Sequence, residues 1–220
     1  MTGPTDFLRR TAASGFDDPV HCARQTFRVL LDAMAQPGRI FSLPESVIEG
    51  LESNDPDLSP ALSKALTSTL LTLLDADTAV HLAGALDTQA VLDYLRLHTG
   101  ARPLRAGEPL GIAAARGADV DAALCARLAQ VGAEMPQDGA TLIVEVDALV
   151  EPAAGERRGV EVGAPGTGAP RRLAVAGLPA DFWDWRIALA ATPPCSIDLL
   201  IVHDTAVAAI PRSAHIVRLD

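Results

Sequence analysis

Apolar positions recur along this chain first with a helical period and then with a strand period, and the change-over is sharpest between Leu62 and Leu82. Leu62, Leu66, Leu70 and Leu73 share one helical face, which Leu71 and Leu74 widen. Val80 and Leu82 then alternate with Ala79 and His81, the period of a strand. Between them Asp75, Asp77 and Thr78 carry short polar side chains that bond to nearby backbone. The spacing predicts a helix, a tight polar corner and a strand.

The same grammar runs through the rest. Asp18-Pro19 reads as a cap followed by proline at the first helical position, with Val20, Ala23, Phe27, Leu30, Leu31 and Met34 as the core-facing stripe and Pro37-Gly38 as the stop. Residues 39–43 read as a short strand and 44–57 as a polar connection with some irregular or helical turn. Ser59-Pro60 repeats the cap-and-proline start for the leucine-rich helix, and Asp87 or Thr88 caps a third helix that ends near Gly100. Strands at 111–115 and 139–146 flank a helix at 119–131 whose Val120, Leu124 and Leu128 are spaced by four. Strand alternating with helix argues an α/β fold in which helices cover a sheet, and 220 residues suit one domain spanning 1–220.

The C-terminal third changes character. Residues 151–168 are rich in Gly, Pro and Ala around a strand at 159–162. Pro179 starts a helix holding Phe182, Trp183, Trp185 and Ile187, an aromatic concentration that anchors a core or an interface. Residues 197–202 and 206–210 read as a hairpin through His203-Asp204-Thr205, and 215–219 as a last edge strand.

Composition narrows the function classes. With 49% hydrophobic residues and 4% aromatics the core must be aliphatic, as in an ordinary globular protein. A formal net charge of −10 argues against nucleic acid or an anionic membrane as the principal partner. No signal-like start and no long apolar run is present, so we expect a cytoplasmic protein that does not enter a membrane. Cys22, Cys125 and Cys195 are odd in number and widely spaced, which gives neither a disulfide framework nor a zinc ribbon.

Candidate chemistry is sparse. Asp75 and Asp77, two residues apart beside Thr78, could hold Mg²⁺ and a nucleotide phosphate, or could merely build their corner. His21, Arg24 and Arg28 align at i, i+3 and i+7, either as a contact for an anion or acidic partner or as a solvated face. Arg171 and Arg172 are a second arginine pair beyond the Gly163–Gly168 loop, which matches neither a P-loop nor a dinucleotide fingerprint. Asp198 lies in an apolar strand and must therefore be paired, capped or protonated. Cys195-Ser196 follows Pro193-Pro194 without a neighbouring base to activate a nucleophile. The five histidines show no zinc spacing, and Lys64, the one lysine, is poorly placed for a pyridoxal-phosphate Schiff base, so no cofactor and no metal is expected.

The order of unusual segments adds what local chemistry does not. Gly15-Phe16-x-x-Pro19-Val20, Phe27-Arg28, Ala33-Met34-x-x-Pro37-Gly38 and Leu70 to Thr78 are followed by Leu95-Arg96-x-His98-Thr99, Gly139 to Ile143, Pro165-Gly166, Ile197-Asp198-Leu199 and Ala209 to Arg212. This series resembles the PhnH subunit family of the bacterial carbon–phosphorus lyase system. It departs from the family at Ala164-Pro165-Gly166-Thr167 and at Pro194-Cys195-Ser196, both at turns. The resemblance implies a three-layer α/β fold similar to that of pyridoxal-phosphate-dependent transferases but without the cofactor site. It also implies a homodimer within a cytoplasmic complex of other lyase subunits. Its implied role is to support conversion of an alkylphosphonate and ATP to a ribose 1-phosphonate 5-triphosphate with release of adenine, the catalysis resting chiefly on a partner. Arg28, Asp75, Asp77, Asp198 and Arg212 are then the candidate contacts to phosphate or partner, with ATP or phosphonate as candidate ligands. The competing readings are a Mg-dependent nucleotide enzyme using Asp75 and Asp77, and a purely structural dimeric scaffold.

Overall fold

A computed structural model describes residues 15–51, 62–134, 139–153, 156, 158–166, 168–191 and 197–219. The Ser59-Pro60 helix start and the Cys195-Ser196 turn lie outside these residues. Helix α1 (Pro19–Ala35) begins as its sequence predicts, Asp18 Oδ1 accepting the His21 N–H at 3.0 Å. A two-residue strand β1 (Phe41–Ser42) and a single turn α2 (Glu45–Glu49) follow. Helix α3 (Lys64–Leu73) is capped by Ser63, whose side chain accepts the Leu66 N–H. The corner at 74–78 then delivers the chain to β2 (Ala79–Leu82). Helix α4 (Gln89–Thr99), capped by Thr88, leads to β3 (Arg102–Pro103) and β4 (Ile112–Arg116).

Helix α5 (Ala122–Glu134) starts three residues later than 119 because residues 117–119 form a 3₁₀ turn and Asp121 Oδ1 caps the Leu124 N–H. It leads to β5 (Thr141–Glu145), β6 (Ala148–Val150), β7 (Val160–Gly163), β8 (Arg171–Ala176), α6 (Phe182–Ala190), β9 (Asp198–His203), β10 (Ala206–Ile210) and β11 (His215–Arg218).

Seven strands form one mixed sheet in the order β1-β10-β9-β5-β4-β2-β3. Strands β3, β2, β4, β5 and β9 are parallel, and β10 and β1 join by antiparallel pairing. Parallel strands covered on both faces bury every central side chain, and Ala113, Ala114, Ala115, Leu142, Ile143 and Val144 are all fully buried. Successive residues serve opposite layers. Ala114, Ile143, Leu200 and Val202 pack under α1, α3 and α4, while Ala113, Ala115, Leu142, Leu199 and Ile201 pack under α5, α6 and a second sheet. That second sheet is four-stranded and antiparallel, ordered β11-β7-β8-β6. The 151–168 region is thus more than a connection around one strand. Its strand β7 is the centre of a small sheet that closes the second core.

One expectation is overturned in α1. Its buried face is Cys22, Thr26, Leu30 and Ala33, whereas Val20, Phe27 and Leu31 are 80%, 46% and 51% exposed. Two apolar stripes compete on this helix, and the one with smaller side chains allows the closer approach to α3 and β10. No helix among the described residues is long and apolar enough to cross a membrane.

Candidate functional site

The sequence-named residues fall in three places. Asp75 and Asp77 share the exposed corner between α3 and β2. There Asp75 accepts from the Thr78 hydroxyl and from the Asp77 N–H, and the Thr78 hydroxyl bond in particular holds its carboxyl below the usual carboxylate range. These bonds shape the corner. Arg28 stands on the exposed side of α1, with Arg24 one turn before it and Val20, Phe27 and Leu31 beside them. The i, i+3 contact of this stripe is real, Arg24 Nη2 lying 3.3 Å from His21 Nδ1.

Asp198 and Arg212 are brought together. Arg212 donates its backbone N–H to Asp198 Oδ1 at 2.8 Å, and its Nη2 and Nε to Oδ2 at 2.6 and 3.0 Å. Such a charge-assisted, multiply bonded pair is geometrically specific. The Arg212 guanidinium occupies the space a Cβ at Gly139 would take, so a side chain there would push the arginine off its present position. Behind it lies Arg186, fully buried in α6, which donates from Nη2 to the carbonyls of Ile197 and Pro211 while Nε and Nη1 have no partner among the described residues. Burial pulls the Arg186 pKa down and the Asp198 charge opposes that. An arginine guanidinium is not deprotonated in a protein, so a buried cation faces the Asp198 side chain that starts β9. This cluster sits at the amino ends of the parallel strands, where β9 and β10 enter and leave the sheet.

A different constellation occupies the opposite, carboxyl end. The crossover after β2 runs through α4 over one face, and the crossover after β4 runs through α5 over the other. Neighbouring parallel strands whose connections leave to opposite faces define a topological switch point, the place where open α/β sheets form a crevice. Two cavities open there. One of about 470 Å³ is lined by His81, Gly84, Asp87, Asp119, Asp121 and Arg127 among others, and one of about 500 Å³ by His81, Asp87, Pro103, Arg105, Gly107 and Arg127 among others.

Local structure fixes these side chains. Gly84 has φ +56°, and a Cβ there would collide with the Asp119 carboxylate, which accepts the Ala85 N–H at 2.9 Å. Asp121 is the cap of α5, and Arg127 follows at i+6 on that helix. Arg127 Nη1 lies 3.2 Å from His81 Nε2. Since a guanidinium only donates, Nε2 is the acceptor and the imidazole is neutral. Burial first, then the Arg127 charge, hold the His81 pKa below its ordinary value, with Asp87 opposing.

In the sequence His81 is only one of five histidines without zinc spacing, and no motif there marks Asp87, Asp119 or Arg127 as site residues. They come from separate crossovers, and only the strand order puts them side by side. A signal existed in the Asp119-Val-Asp121 pair preceding a helix directly after a strand, the place where open sheets collect ligand contacts. Among the described residues no group of three or more His, Cys, Asp or Glu is gathered as a metal-holding cluster. Cys22 and Cys125 are buried free thiols, and burial, then Asp121 and Asp181, push Cys125 up to about 11.

Residues 14–217 match the model of the family described as bacterial phosphonate metabolism protein (PhnH). The chain is 32% identical over 209 residues to the alpha-D-ribose 1-methylphosphonate 5-triphosphate synthase subunit PhnH of Rhizobium meliloti, covering 94% of this chain and 96% of that protein. It is 30% identical over 190 residues to HtxG of Stutzerimonas stutzeri, provisionally named a C-P lyase subunit protein, covering 86% and 83% respectively.

Proposed function

The chain belongs to the PhnH family of bacterial phosphonate metabolism proteins, and from that membership we propose that it is an accessory, non-catalytic subunit of a cytoplasmic complex of the ribose 1-methylphosphonate 5-triphosphate synthase or C–P lyase kind. In this reading it supports formation of ribose 1-phosphonate 5-triphosphate from ATP and an alkylphosphonate, with release of adenine, and other subunits supply the reacting groups. The observation that carries it is a match running nearly end to end with a relative whose name makes it a subunit of such a synthase. The exposed apolar positions Val20, Phe27 and Leu31 on α1, with Arg24 and Arg28 between them, add a face of the composition that protein interfaces favour, apolar and arginine-bearing.

Arg28 is then a contact to another subunit. Asp198 and Arg212 hold the shape of the sheet end, and Asp75 and Asp77 the shape of a corner. Self-association as a homodimer and a fold akin to the pyridoxal-phosphate-dependent transferases belong to the same reading. Lys64 supports the lack of a Schiff-base role, since its Nζ donates to the Ile48 carbonyl at 3.2 Å on an exposed helix start.

The test is to purify the chain alone and co-expressed with the other subunits, then follow adenine release from ATP plus methylphosphonate. The expected result is turnover by the assembly and none by the chain alone. Robust turnover by the isolated chain overturns the accessory role.

A further inference from the structure

The two cavities at the carboxyl ends of β2 and β4 are compartments of one crevice, because His81, Asp87 and Arg127 wall both. Their charges are opposite. The first sets Asp87, Asp119 and Asp121 against Arg127, while the second sets Arg105 and Arg127 against Asp87. His81 adds no charge to either, since its Nε2 accepts from Arg127.

A simple anion held at the arginines would face the carboxylates of the other compartment, and a simple cation would meet the reverse problem. A dipolar molecule complements both halves at once. The geometry points to this crevice as a binding site for a small zwitterion, its phosphoryl group between Arg105 and Arg127 and its ammonium toward Asp119 and Asp121.

The chemistry of each half supports the assignment. Two guanidinium forks match the several oxygens of a phosphoryl dianion better than a single charge would. An ammonium has three donors and no acceptor, and the aspartates offer acceptor oxygens beyond those bonded to the Ala85 and Leu124 N–H groups. The compartments, about 470 and 500 Å³, are of the size that holds small molecules. They also lie where the strand order reverses. The backbone is built for this arrangement, as Gly84 accepts a left-handed conformation that leaves room for Asp119.

Calorimetric titration of the isolated full chain with O-phosphoethanolamine, ethyl phosphate, ethanolamine and β-alanine tests the proposal. O-Phosphoethanolamine is expected to bind about tenfold or more tightly than ethyl phosphate or ethanolamine, with β-alanine weaker as well. Arg105→Gln, on an exposed turn, and Arg127→Gln should each weaken O-phosphoethanolamine and ethyl phosphate alike by about tenfold. Asp121→Asn keeps a competent cap for α5 and should weaken the three amine-bearing ligands while leaving ethyl phosphate unchanged.

Ethyl phosphate binding as tightly as O-phosphoethanolamine overturns the proposal. So do unchanged affinities in both arginine variants, or no heat from any ligand at about 10 mM. β-Alanine binding as tightly as O-phosphoethanolamine overturns the phosphoryl assignment. Subunit assembly does not enter the measurement, so a failure here leaves the subunit role standing, and the reverse.

Discussion

Asp198 balances two arginines at once, Arg212 through three donated hydrogen bonds and Arg186 through its charge alone. Removing the carboxylate leaves a fully buried guanidinium without its counter-charge and an Arg212 N–H without that acceptor. Asp198→Ala should therefore cost about 3 kcal/mol. Asp198→Asn, which keeps an acceptor oxygen, should cost less, and urea unfolding of both variants measures the order. Equal or negligible losses would mean that the cluster contributes no net stability. From the sequence, Asp198 stands out because a carboxylate in an apolar strand needs a partner, and Arg212 only through the family resemblance. Arg186 is illegible there, lying among aromatics on a helix without a clear apolar side. His81 gives the matching pH test. Its folded pKa lies below the ordinary 6.5, so as pH falls through 6.5 the unfolded chain takes up the proton first. Stability should fall from there until the lowered value is passed, and His81→Gln should flatten that segment of a melting-point-against-pH curve. An unchanged slope would show that His81 titrates alike in both states.

Helix α3 is where element-level reading of the sequence fails most instructively. The leucine stripe is correctly placed, with Leu66 and Leu70 fully buried, yet Ser68 and Thr69 are equally buried and their hydroxyls have no partner among the described residues. Periodicity sends polar residues outward, but α3 lies between α1 and α4 on the sheet and is enclosed around its first turns. A buried hydroxyl without a partner costs more than the methyl that would replace it. Thr69→Val should therefore stabilise by about 1 kcal/mol, with Thr26→Val on α1 in the same direction, read as thermal midpoints. A loss of similar size would mean that these hydroxyls are satisfied in solution. Helix α1 fails in the other direction, since its large apolar residues face out. Phe27→Asp should change stability by no more than about 0.5 kcal/mol. It should nevertheless abolish co-purification with the other subunits, and retention of the full assembly would remove α1 from the interface.

At the scale of the whole molecule, two cores share one set of strands. Residues alternate between them along β4, β5 and β9, so that Ile143 belongs to the helical layer while Leu142 and Val144 on either side belong to the layer of α5, α6 and the small sheet. Alternation of this kind cannot be read from uniformly apolar runs such as Ile112 to Ala115, in which every residue is apolar whichever face it serves. The physical consequence is coupling: a strand that leaves one core leaves both. We propose that the described residues unfold as a single cooperative unit, and the chain carries its own reporter for one side of it. Trp183 and Trp185, the two tryptophans of the sequence, both sit in α6 and pack into the second core. Far-ultraviolet circular dichroism weights the other layer, where α1, α3 and α4 lie. Tryptophan fluorescence and circular dichroism should therefore give coincident urea transitions. A fluorescence midpoint displaced below that of the helical signal would mean that α6 and the small sheet detach first as a separate unit, with the seven-stranded sheet and its α1, α3 and α4 layer surviving alone.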